Sequence, residues 1–363
     1  MKLLLLIAIP VICWFFILPE TTLSAYSKTG SPSTHPSSVN DLFGSDEVLH
    51  FKLSGNIRQL FADRGEVPAY HPVVLSYRKV DSNEVSVSLK AKTRGNFRRD
   101  KSNCTYPPIL LNFQKIGSKS TLFENQDKLK MVMPCKEESH VIREYLVYKL
   151  YNILTPKSFR ARLAKVNFYD AERKRETALY TMLLEEDEQM AKRNRTLILN
   201  KKMMRGESTE TETFLKMAVF QYMIGNTDWS VEFLHNIRIM AIDSFSIPSV
   251  VPYDFDHAGI VNAPYALPAE ELALRSTQHR RFRGYCITDW RTMDEVIATF
   301  NRLKKEFYNV YTNCTLLDAK YINATIKFLD GFYATINDAK KMRAEFTYPC
   351  NNPNIIIKGL GKD

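Results

Sequence analysis

The sequence lacks the short motifs that mark several common catalytic sites. It contains no HExxH, GxSxG, GxGxxG or GxxxxGK(S/T) pattern, so the standard sites that these motifs form are not expected. No two cysteines are spaced CxxC, and no cysteines and histidines cluster at the spacing that zinc sites require. We find no internal repeat. Any chemistry must therefore come from a less common set of side chains.

The composition is that of an ordinary folded protein. Of the 363 residues, 45% are hydrophobic and 25% are charged, which excludes the disordered, collagen-like and low-complexity classes. The length allows one large domain or two smaller ones. The net charge of +10 suits phosphate-rich ligands, nucleic acid or an anionic surface, or belongs to a solvated basic face. Because no recognised nucleic-acid module accompanies this charge, we expect no nucleic-acid partner.

The long apolar run of residues 3–18 follows Met1 and Lys2 and precedes small residues that end at Ala25. This pattern predicts a signal peptide over residues 1–25, with an uncleaved membrane anchor as the alternative. Residues 26–45, rich in Ser, Thr and Pro at their start, are expected to form a flexible linker. The folded part is therefore predicted to be exported to the periplasm, cell surface or medium, with membrane contact only through that anchor.

The cysteines are few. Without Cys13 their number is odd, so at most two disulfides form and one thiol stays free. We favour mostly buried free cysteines with at most one bridge, since a chain of this size needs no disulfide scaffold. The five are Cys104, Cys135, Cys286, Cys314 and Cys350.

The residues between 46 and 187 are strand-rich. Residues 84–92 alternate apolar and polar side chains with a period of two, and turn residues separate the runs at hairpin-like intervals. We therefore predict an antiparallel sheet. A helical period over residues 138–154, ended by Pro156, predicts one long helix. The other predicted strands cover residues 48–53, 73–77, 109–113, 128–133, 166–169 and 181–184.

Residues 188–363 are mostly helical in pattern. Helices are predicted over residues 212–224, 288–310 and 318–336, with short strands at 236–242 and 249–251. The fold class is therefore α+β, with a strand-rich N-lobe over residues 46–187 and a helical C-lobe over residues 188–363.

Four polar residues follow helix 212–224. Asp228 and Asn236 precede the predicted hairpin, and Asp254 and Asp256 follow it. The hairpin brings these residues to one place, and Mg²⁺ prefers oxygen ligands of this kind. Two Asx turns and a solvated acidic loop are the simpler interpretation of the same residues.

The order of these segments resembles that of a known kinase family. The sequence helix–GNTDW–HN–hairpin–YDFD is similar to CotH, the spore-coat protein kinase, and more distantly to atypical kinases such as HipA. Arg94-Gly95-Asn96 after the alternating strand is similar to the CotH motif at the corresponding place. The resemblance covers about residues 48–259 and implies a two-lobed, atypical protein-kinase-like fold.

The family implies roles for the Asp and Asn residues. Asp228 would be the catalytic base that orients and deprotonates the acceptor hydroxyl. Asn236 would bind a second metal ion. Asp254 would chelate Mg²⁺ or Mn²⁺ between the phosphates of ATP, with Asp256 as a second ligand.

The family also implies phosphate-binding residues. Lys130, or alternatively Lys128, would contact the α- and β-phosphates and pair with Glu144. Arg94 and the backbone at Gly95 would cover the phosphates.

Several other features are expected to be structural. We expect Glu185 and Glu186 to face solvent rather than the adenine edge, Trp229 to anchor its loop in the core, and His235 and His257 to be hydrogen-bonded. A solvated basic face is favoured over phosphate binding for one arginine cluster: Arg275, Arg280, Arg281 and Arg283.

Three departures separate the chain from ordinary protein kinases. In those enzymes the Asn lies about five residues after the catalytic Asp, whereas Asn236 lies 8 residues after Asp228, so the loop between them must bulge. There is no multi-glycine phosphate loop, and Asp256 stands in place of glycine after Asp254-Phe255. These departures indicate an atypical kinase.

We therefore predict an exported CotH-like kinase that transfers the γ-phosphoryl group of ATP to a hydroxyl of a protein or small molecule, using Mg²⁺ or Mn²⁺. The alternative is a non-catalytic, kinase-like binding protein of the surface or periplasm, because ATP is scarce outside the cytoplasm. A metal-dependent phosphoesterase built on the same residues is a third hypothesis.

Overall fold

The computed structural model describes residues 41–79, 83–114 and 118–360. The predicted signal peptide and residues 26–40 of the predicted linker lie outside the described residues. Leu42, placed in that linker by the sequence, is only 1% exposed, and its carbonyl accepts a hydrogen bond from Arg162 Nη1. The packed part of the chain therefore begins before residue 46. No helix within the described ranges has the length and apolarity to cross a membrane.

Seven strands form a closed sheet in the first half of the chain. Along the chain, β1, β2, β3, β4, β5, β6 and β7 cover Leu49–Gly55, His71–Arg78, Glu84–Thr93, Ile109–Phe113, Lys128–Val132, Ala161–Asp170 and Arg175–Leu184. Their order in the sheet is β1-β2-β3-β4-β5-β7-β6. The alternating pattern of residues 84–92 places Val87, Leu89 and Ala91 inside the sheet because successive side chains of a strand point to opposite faces. The sheet thus encloses its own apolar core.

The closure of the sheet differs from the sequence prediction. Strand β1 pairs with β6 in parallel, with Leu53 opposite Phe168, whereas the other six pairs are antiparallel. The expectation of a purely antiparallel sheet was therefore wrong at this one pair. Parallel neighbours need a long connection, and here the chain between β1 and β6 contains four strands and the two helices described next.

Two helices accompany the closed sheet. The short helix α1, Ile57–Ala62, follows β1, and the long helix α2, Glu138–Leu154, lies between β5 and β6. The range of α2 is the one that its helical period predicts. Helix α2 packs against β6 and β7 on one side and against the later helices on the other, so eleven of its residues are buried. Its buried apolar residues share one core with those of the later helices, and Leu163 and Met182 of the closed sheet also belong to that core.

The second half of the chain is mostly helical. A three-stranded sheet has the order β10-β9-β8, and α4 ends at Gly225 in the left-handed conformation (φ 69°), which suits glycine. Along the chain, α3, β8, α4, β9 and β10 cover Asp187–Arg193, Leu197–Leu199, Thr211–Ile224, Ile237–Ala241 and Ser249–Pro252. The remaining helices α5 to α9 cover Arg291–Arg302, Lys304–Thr312, Ala319–Ile336, Ala339–Phe346 and Tyr348–Asn351. The protein is therefore of the α+β class, as predicted.

The helix predicted over residues 288–310 is broken at Leu303. Seven residues of straight helix span about 10 Å along the axis, but the ring centroids of Phe300 and Phe307 are 5.9 Å apart and both side chains are fully buried. The break lets both rings enter the same core.

The cysteines form two disulfides, Cys104–Cys135 and Cys286–Cys350, and Cys314 is free. The two bridges are the maximum that five cysteines allow, so that limit is met. The preference for mostly free cysteines was wrong. Each bridge joins loop or short-helix segments that are far apart in sequence, which the spacing of the cysteines does not reveal.

Candidate functional site

A cavity of about 780 Å³ lies between the closed sheet, α2 and the loops that follow α4 and β10. It brings together eight of the nine residues selected from the sequence: Arg94, Gly95, Lys130, Glu144, Asp228, Asn236, Asp254 and Asp256. The ninth, Lys128, is exposed at the start of β5 and does not line the cavity.

The carboxylate of Asp228 has three hydrogen-bond partners. Its Oδ1 lies 2.7 Å from His235 Nε2 and accepts a second hydrogen bond from the backbone N–H of Leu360 at 2.7 Å. Its Oδ2 accepts from Asn236 Nδ2 at 3.1 Å. Burial alone would raise the pKa of the Asp228 carboxyl, but the hydrogen bond and charge of His235 outweigh burial and lower it. Asp228 is therefore ionised near neutral pH.

The loop from Asp228 to Asn236 bulges, as the wide spacing predicts. Backbone hydrogen bonds in both directions join Ser230 to His235, so the intervening residues form a turn. This bridge returns the chain to Asp228, and the Asn236 amide then donates to both the backbone carbonyl and the carboxylate of that residue. The eight-residue spacing is thus compatible with direct contact.

Asn236 and Asp254 both have left-handed backbones, with φ values of 52° and 60°. Asn and Asp adopt this conformation more readily than other non-glycine residues. Asn236 directly precedes β9, and Asp254 follows β10, its paired neighbour. The two turns therefore place both side chains at the same end of the hairpin and at the cavity.

Asp254 is half-buried and lies near a second acid, Asp256. Within the described ranges no group donates a hydrogen bond to the Asp254 carboxylate, although its backbone N–H donates to Tyr148 Oη at 2.9 Å. Burial, and next the charge of Asp256, raise the pKa of the Asp254 carboxyl to about 6, while Arg98 and Arg94 oppose that rise. Asp256 itself accepts a hydrogen bond from Tyr265 Oη at 3.0 Å. Negative charge is therefore concentrated at this point.

Glu144 pairs with Arg98 instead of Lys130. Arg98 Nη1 lies 3.5 Å from Glu144 Oε2 and 3.7 Å from Asp256 Oδ2, and Nη2 donates to the Met133 carbonyl at 2.6 Å. The Lys130–Glu144 pair implied by the family is therefore wrong here. The reason is that the 94–99 turn places Arg98 next to Glu144, on the buried face of α2.

Lys130 has a different partner. Its Nζ lies 2.8 Å from Asp187 Oδ1, and Arg238 Nε lies 2.5 Å from the other oxygen of the same carboxylate. Two cations, Lys130 and Arg238, thus share the Asp187 carboxylate. Lys130 still lines the cavity.

The turn after β3 covers part of the cavity. Arg94 donates its backbone N–H to the Pro108 carbonyl at 2.9 Å, and Gly95 has φ 80°, which favours glycine. A Cβ on Gly95 would meet nothing within 4 Å, so the backbone there is open.

Three structural expectations have different outcomes. Trp229 is 3% exposed and packs on Phe214, so its role as a core anchor is confirmed. His257 is hydrogen-bonded, since its Nδ1 accepts from Leu267 N at 3.2 Å. Glu185 was expected in solvent but is 4% exposed and pairs with Arg193 at 2.9 Å, because the turn after β7 points it inward.

The arginine cluster after residue 274 is also mostly structural. Arg280 donates to the carbonyls of Met223 and Phe328. Arg283 donates to the carbonyls of Thr227 and Trp229, on either side of Asp228. The expectation of a solvated basic face was therefore wrong for these two residues, which tie loops together.

The donor set is compatible with a divalent cation. No three His, Cys, Asp or Glu residues in the described part of the chain are grouped as a metal site. Asp254 nevertheless offers a carboxylate to which no described residue donates a hydrogen bond, and Asn236, with an amide oxygen, lines the same cavity. Such a partial oxygen set suits Mg²⁺, which takes a few protein ligands and completes its shell with water and phosphate.

Sequence reasoning assigned no role to two residues at the site. Arg98 lies two residues after the Arg94-Gly95-Asn96 motif, and its pairing could not be read from the sequence because several cations lie near it in the chain. Leu360 reaches Asp228 from 132 residues away, and no motif indicates that contact.

Comparisons with known proteins add little. Neither a protein-family model nor a curated protein matches this sequence. This chain is similar to the crystal structure of the Helicobacter pylori proinflammatory kinase CtkA, with a TM-score of 0.41 and 11% sequence identity. The matched part covers 70% of this chain and 94% of the CtkA chain. The site is therefore interpreted from its own geometry.

Proposed function

We propose that this protein is an exported, CotH-like atypical kinase that transfers the γ-phosphoryl group of ATP to a hydroxyl, with Mg²⁺ or Mn²⁺ as cofactor. The closed sheet would serve as its N-lobe and the later helices as its C-lobe. One observation carries the proposal: Asp228 and Asp254 line the same cavity as Arg94, Arg98 and Lys130. Carboxylates facing cations across one cleft match a metal-bound triphosphate.

Asp228 is the residue that would receive the acceptor proton. The acceptor oxygen would form a bond to the γ-phosphorus while the bond from that phosphorus to the β–γ bridging oxygen breaks. The hydroxyl proton would pass to Asp228, and ADP would keep the electron pair of the broken bond. The lowered pKa of Asp228 keeps the carboxylate ionised and able to orient the hydroxyl, and Asn236 fixes its position.

Asp254, Asn236 and Asp256 would hold the cation. A bound Mg²⁺ would neutralise the phosphate charge that develops during transfer. Burial and the charge of Asp256 together raise the pKa of Asp254 to about 6, and a cation bound here would relieve the repulsion between the two carboxylates.

Arg98 is the best candidate for a direct phosphate contact. Its Nε is buried and has no hydrogen-bond partner among the described residues. A buried donor without a partner is costly, and a phosphate oxygen would satisfy it. Val132 and Leu184, which also line the cavity, provide apolar surface for the base.

The test compares the isosteric variants Asp228→Asn and Asp254→Asn with Asp127→Asn, an exposed residue outside the cavity. Transfer of labelled γ-phosphate and binding of ATP with Mn²⁺ are measured for each. Asp228→Asn should bind ATP but lose transfer by about 10²- to 10⁴-fold. Asp254→Asn should lose metal-dependent ATP binding as well. Wild-type transfer rates in either site variant would contradict the proposal.

One observation favours the non-catalytic alternative. Asp228 Oδ1 already accepts two hydrogen bonds, from His235 and Leu360. If ATP with Mn²⁺ raises the melting temperature but no phosphate is transferred under any condition, the chain is a nucleotide-binding pseudokinase. An unchanged melting temperature at millimolar ATP would instead indicate a binding module without nucleotide.

A further inference from the structure

The 355–360 segment runs into the cavity and ends at Asp228. The backbone N–H of Leu360 donates to Asp228 Oδ1 at 2.7 Å, and Leu360 lines the cavity. A main-chain donor thus occupies one oxygen of the carboxylate that would receive the acceptor proton in the proposed mechanism.

The segment is anchored before it reaches the site. Ile357 is 6% exposed and packs with Ala269 and Leu272. Lys358 Nζ lies 5.6 Å from the centre of the Phe233 ring, on the loop between Asp228 and Asn236. The contact at Leu360 therefore belongs to a stretch of chain that also packs on the protein at Ile357 and Lys358.

Gly359 lies against the imidazole ring of His235. Its φ is 119°, and a Cβ built on it would lie 2.1 Å from His235 Cδ2. Only glycine lets the backbone lie against the imidazole that bonds Asp228. The fit therefore depends on a residue without a side chain, next to the residue whose N–H meets the carboxylate.

We propose that the surface formed by Ala269, Leu272, Phe233 and His235 is the binding site for a polypeptide acceptor, and that the 355–360 segment occupies it in cis. This inference rests on the proposed function and narrows its acceptor to a peptide. The segment indicates what an acceptor peptide should look like. An apolar residue would pack on Ala269 and Leu272, as Ile357 does. The residue to be phosphorylated would follow three positions later, in the position of Leu360. While the segment is bound, it excludes the acceptor.

The surrounding chemistry suits a peptide better than a small molecule. The contacts of the segment are one apolar side chain, one cation over an aromatic ring and one main-chain N–H, spread over residues 357–360. Four residues of extended chain span at most about 14 Å. A small hydroxyl compound could reach Asp228 but could not fill the apolar pocket at the same time.

The central test uses Leu360→Pro, which removes the N–H that bonds Asp228, with Leu360→Ala as the matched variant that keeps it. A labelled peptide of residues 354–360 is titrated into each full-length variant and the wild type, and binding is followed by fluorescence anisotropy. Since a hydrogen bond to a charged group changes an equilibrium constant by about 10- to 100-fold, Leu360→Pro should bind the peptide at least about tenfold more tightly than wild type. Leu360→Ala should gain less.

A second variant checks the same site independently. Gly359→Val should also release the segment, because its side chain would collide with His235. Gly65→Val is the control, since a Cβ there meets nothing within 4 Å. Melting temperatures of all variants establish that they fold.

The activity measurement separates this inference from the proposed function. The same peptide with Leu360→Ser is offered as phosphate acceptor, alongside one that also carries Ile357→Asp. Phosphorylation of the first and not the second, faster in Leu360→Pro than in wild type, supports both ideas. Tight peptide binding in Leu360→Pro without phosphorylation supports the peptide site and contradicts the kinase. Equal peptide affinity in all variants overturns the peptide site, whatever the phosphotransfer activity.

Discussion

Arg98 Nη1 lies 3.5 Å from Glu144 Oε2, and the two side chains are only 12% and 3% exposed. The cation that meets the buried acid of α2 thus comes from the turn after β3 and not from β5. Burial raises the pKa of the Glu144 carboxyl, and the Arg98 charge opposes that rise. The short distance and the low exposure of both side chains identify a buried pair at the wall of the cavity.

Removing one partner of this pair should destabilise the fold. In Glu144→Ala the buried Arg98 charge loses this partner and keeps Asp256 and Asp254 as its acidic neighbours, and breaking a buried pair costs about 3–5 kcal/mol. Urea unfolding followed by circular dichroism measures the loss. Glu295→Ala, an exposed helical residue, should change the free energy of unfolding by less than about 0.5 kcal/mol. A loss as small as that of the control would mean that the pair contributes nothing.

Arg98 and Lys130 should differ in their effect on nucleotide binding. Arg98→Met removes the Nε donor that, among the described residues, has no hydrogen-bond partner. ATP affinity should therefore fall at least about tenfold, which corresponds to roughly 1.4 kcal/mol. Lys130→Met leaves Arg238 to pair with Asp187, and its effect should be smaller. Arg99→Met, a neighbour that bonds the Glu66 carbonyl, serves as the control. Titration calorimetry with ATP and Mn²⁺ compares them, and a larger effect of Lys130→Met would reverse the assignment.

Glu210 makes stability depend on pH. Burial alone would raise the pKa of its carboxyl, but hydrogen bonds from Lys157, Thr213 and Ser249 lower it to about 2. A group with a lowered folded pKa stabilises the protein above the unfolded pKa of about 4.5 and loses this contribution as the pH falls toward 2. The difference in urea midpoint between wild type and Glu210→Gln should therefore shrink across that window. A constant difference from pH 7 to pH 2 would rule out this linkage.

The Cys104–Cys135 bridge should stabilise the wall of the cavity. It closes a loop of 31 residues, for which chain entropy predicts about 4 kcal/mol. The bridge also ties the turn of Arg98 to the chain beyond β5, so the double variant Cys104→Ser with Cys135→Ser should bind ATP more weakly. Cys314→Ser, at a free cysteine, is the control. Equal urea midpoints for the two variants would show that the bridge is dispensable.

Periodicity was sufficient for the regular elements that bury one face. The range of α2 follows from apolar residues at helical spacing, and β4 follows from five residues between turn signals. Short elements such as α1 and β8 were not predicted, because six or three residues carry too little of a period. The break at Leu303 was also missed, since the apolar stripe continues through it.

The chemical types at the site were also visible in the chain. Asp228, Asn236 and Asp254 stand beside a helix end and a hairpin, and such local geometry is enough to bring them to one cavity. Their roles in catalysis and metal binding remain predictions, as does export of the protein, because residues 1–40 lie outside the described ranges.

Sequence order alone thus specifies helices, strands and the polar residues that follow them, because these depend on neighbours a few positions apart. Packing decided which charges meet: Arg98 reaches Glu144, Lys130 reaches Asp187, and the Leu360 N–H reaches Asp228. These pairs join residues 46, 57 and 132 positions apart. Several cations and donors in the chain could satisfy each acid equally well, and only the folded path of the backbone selects one of them.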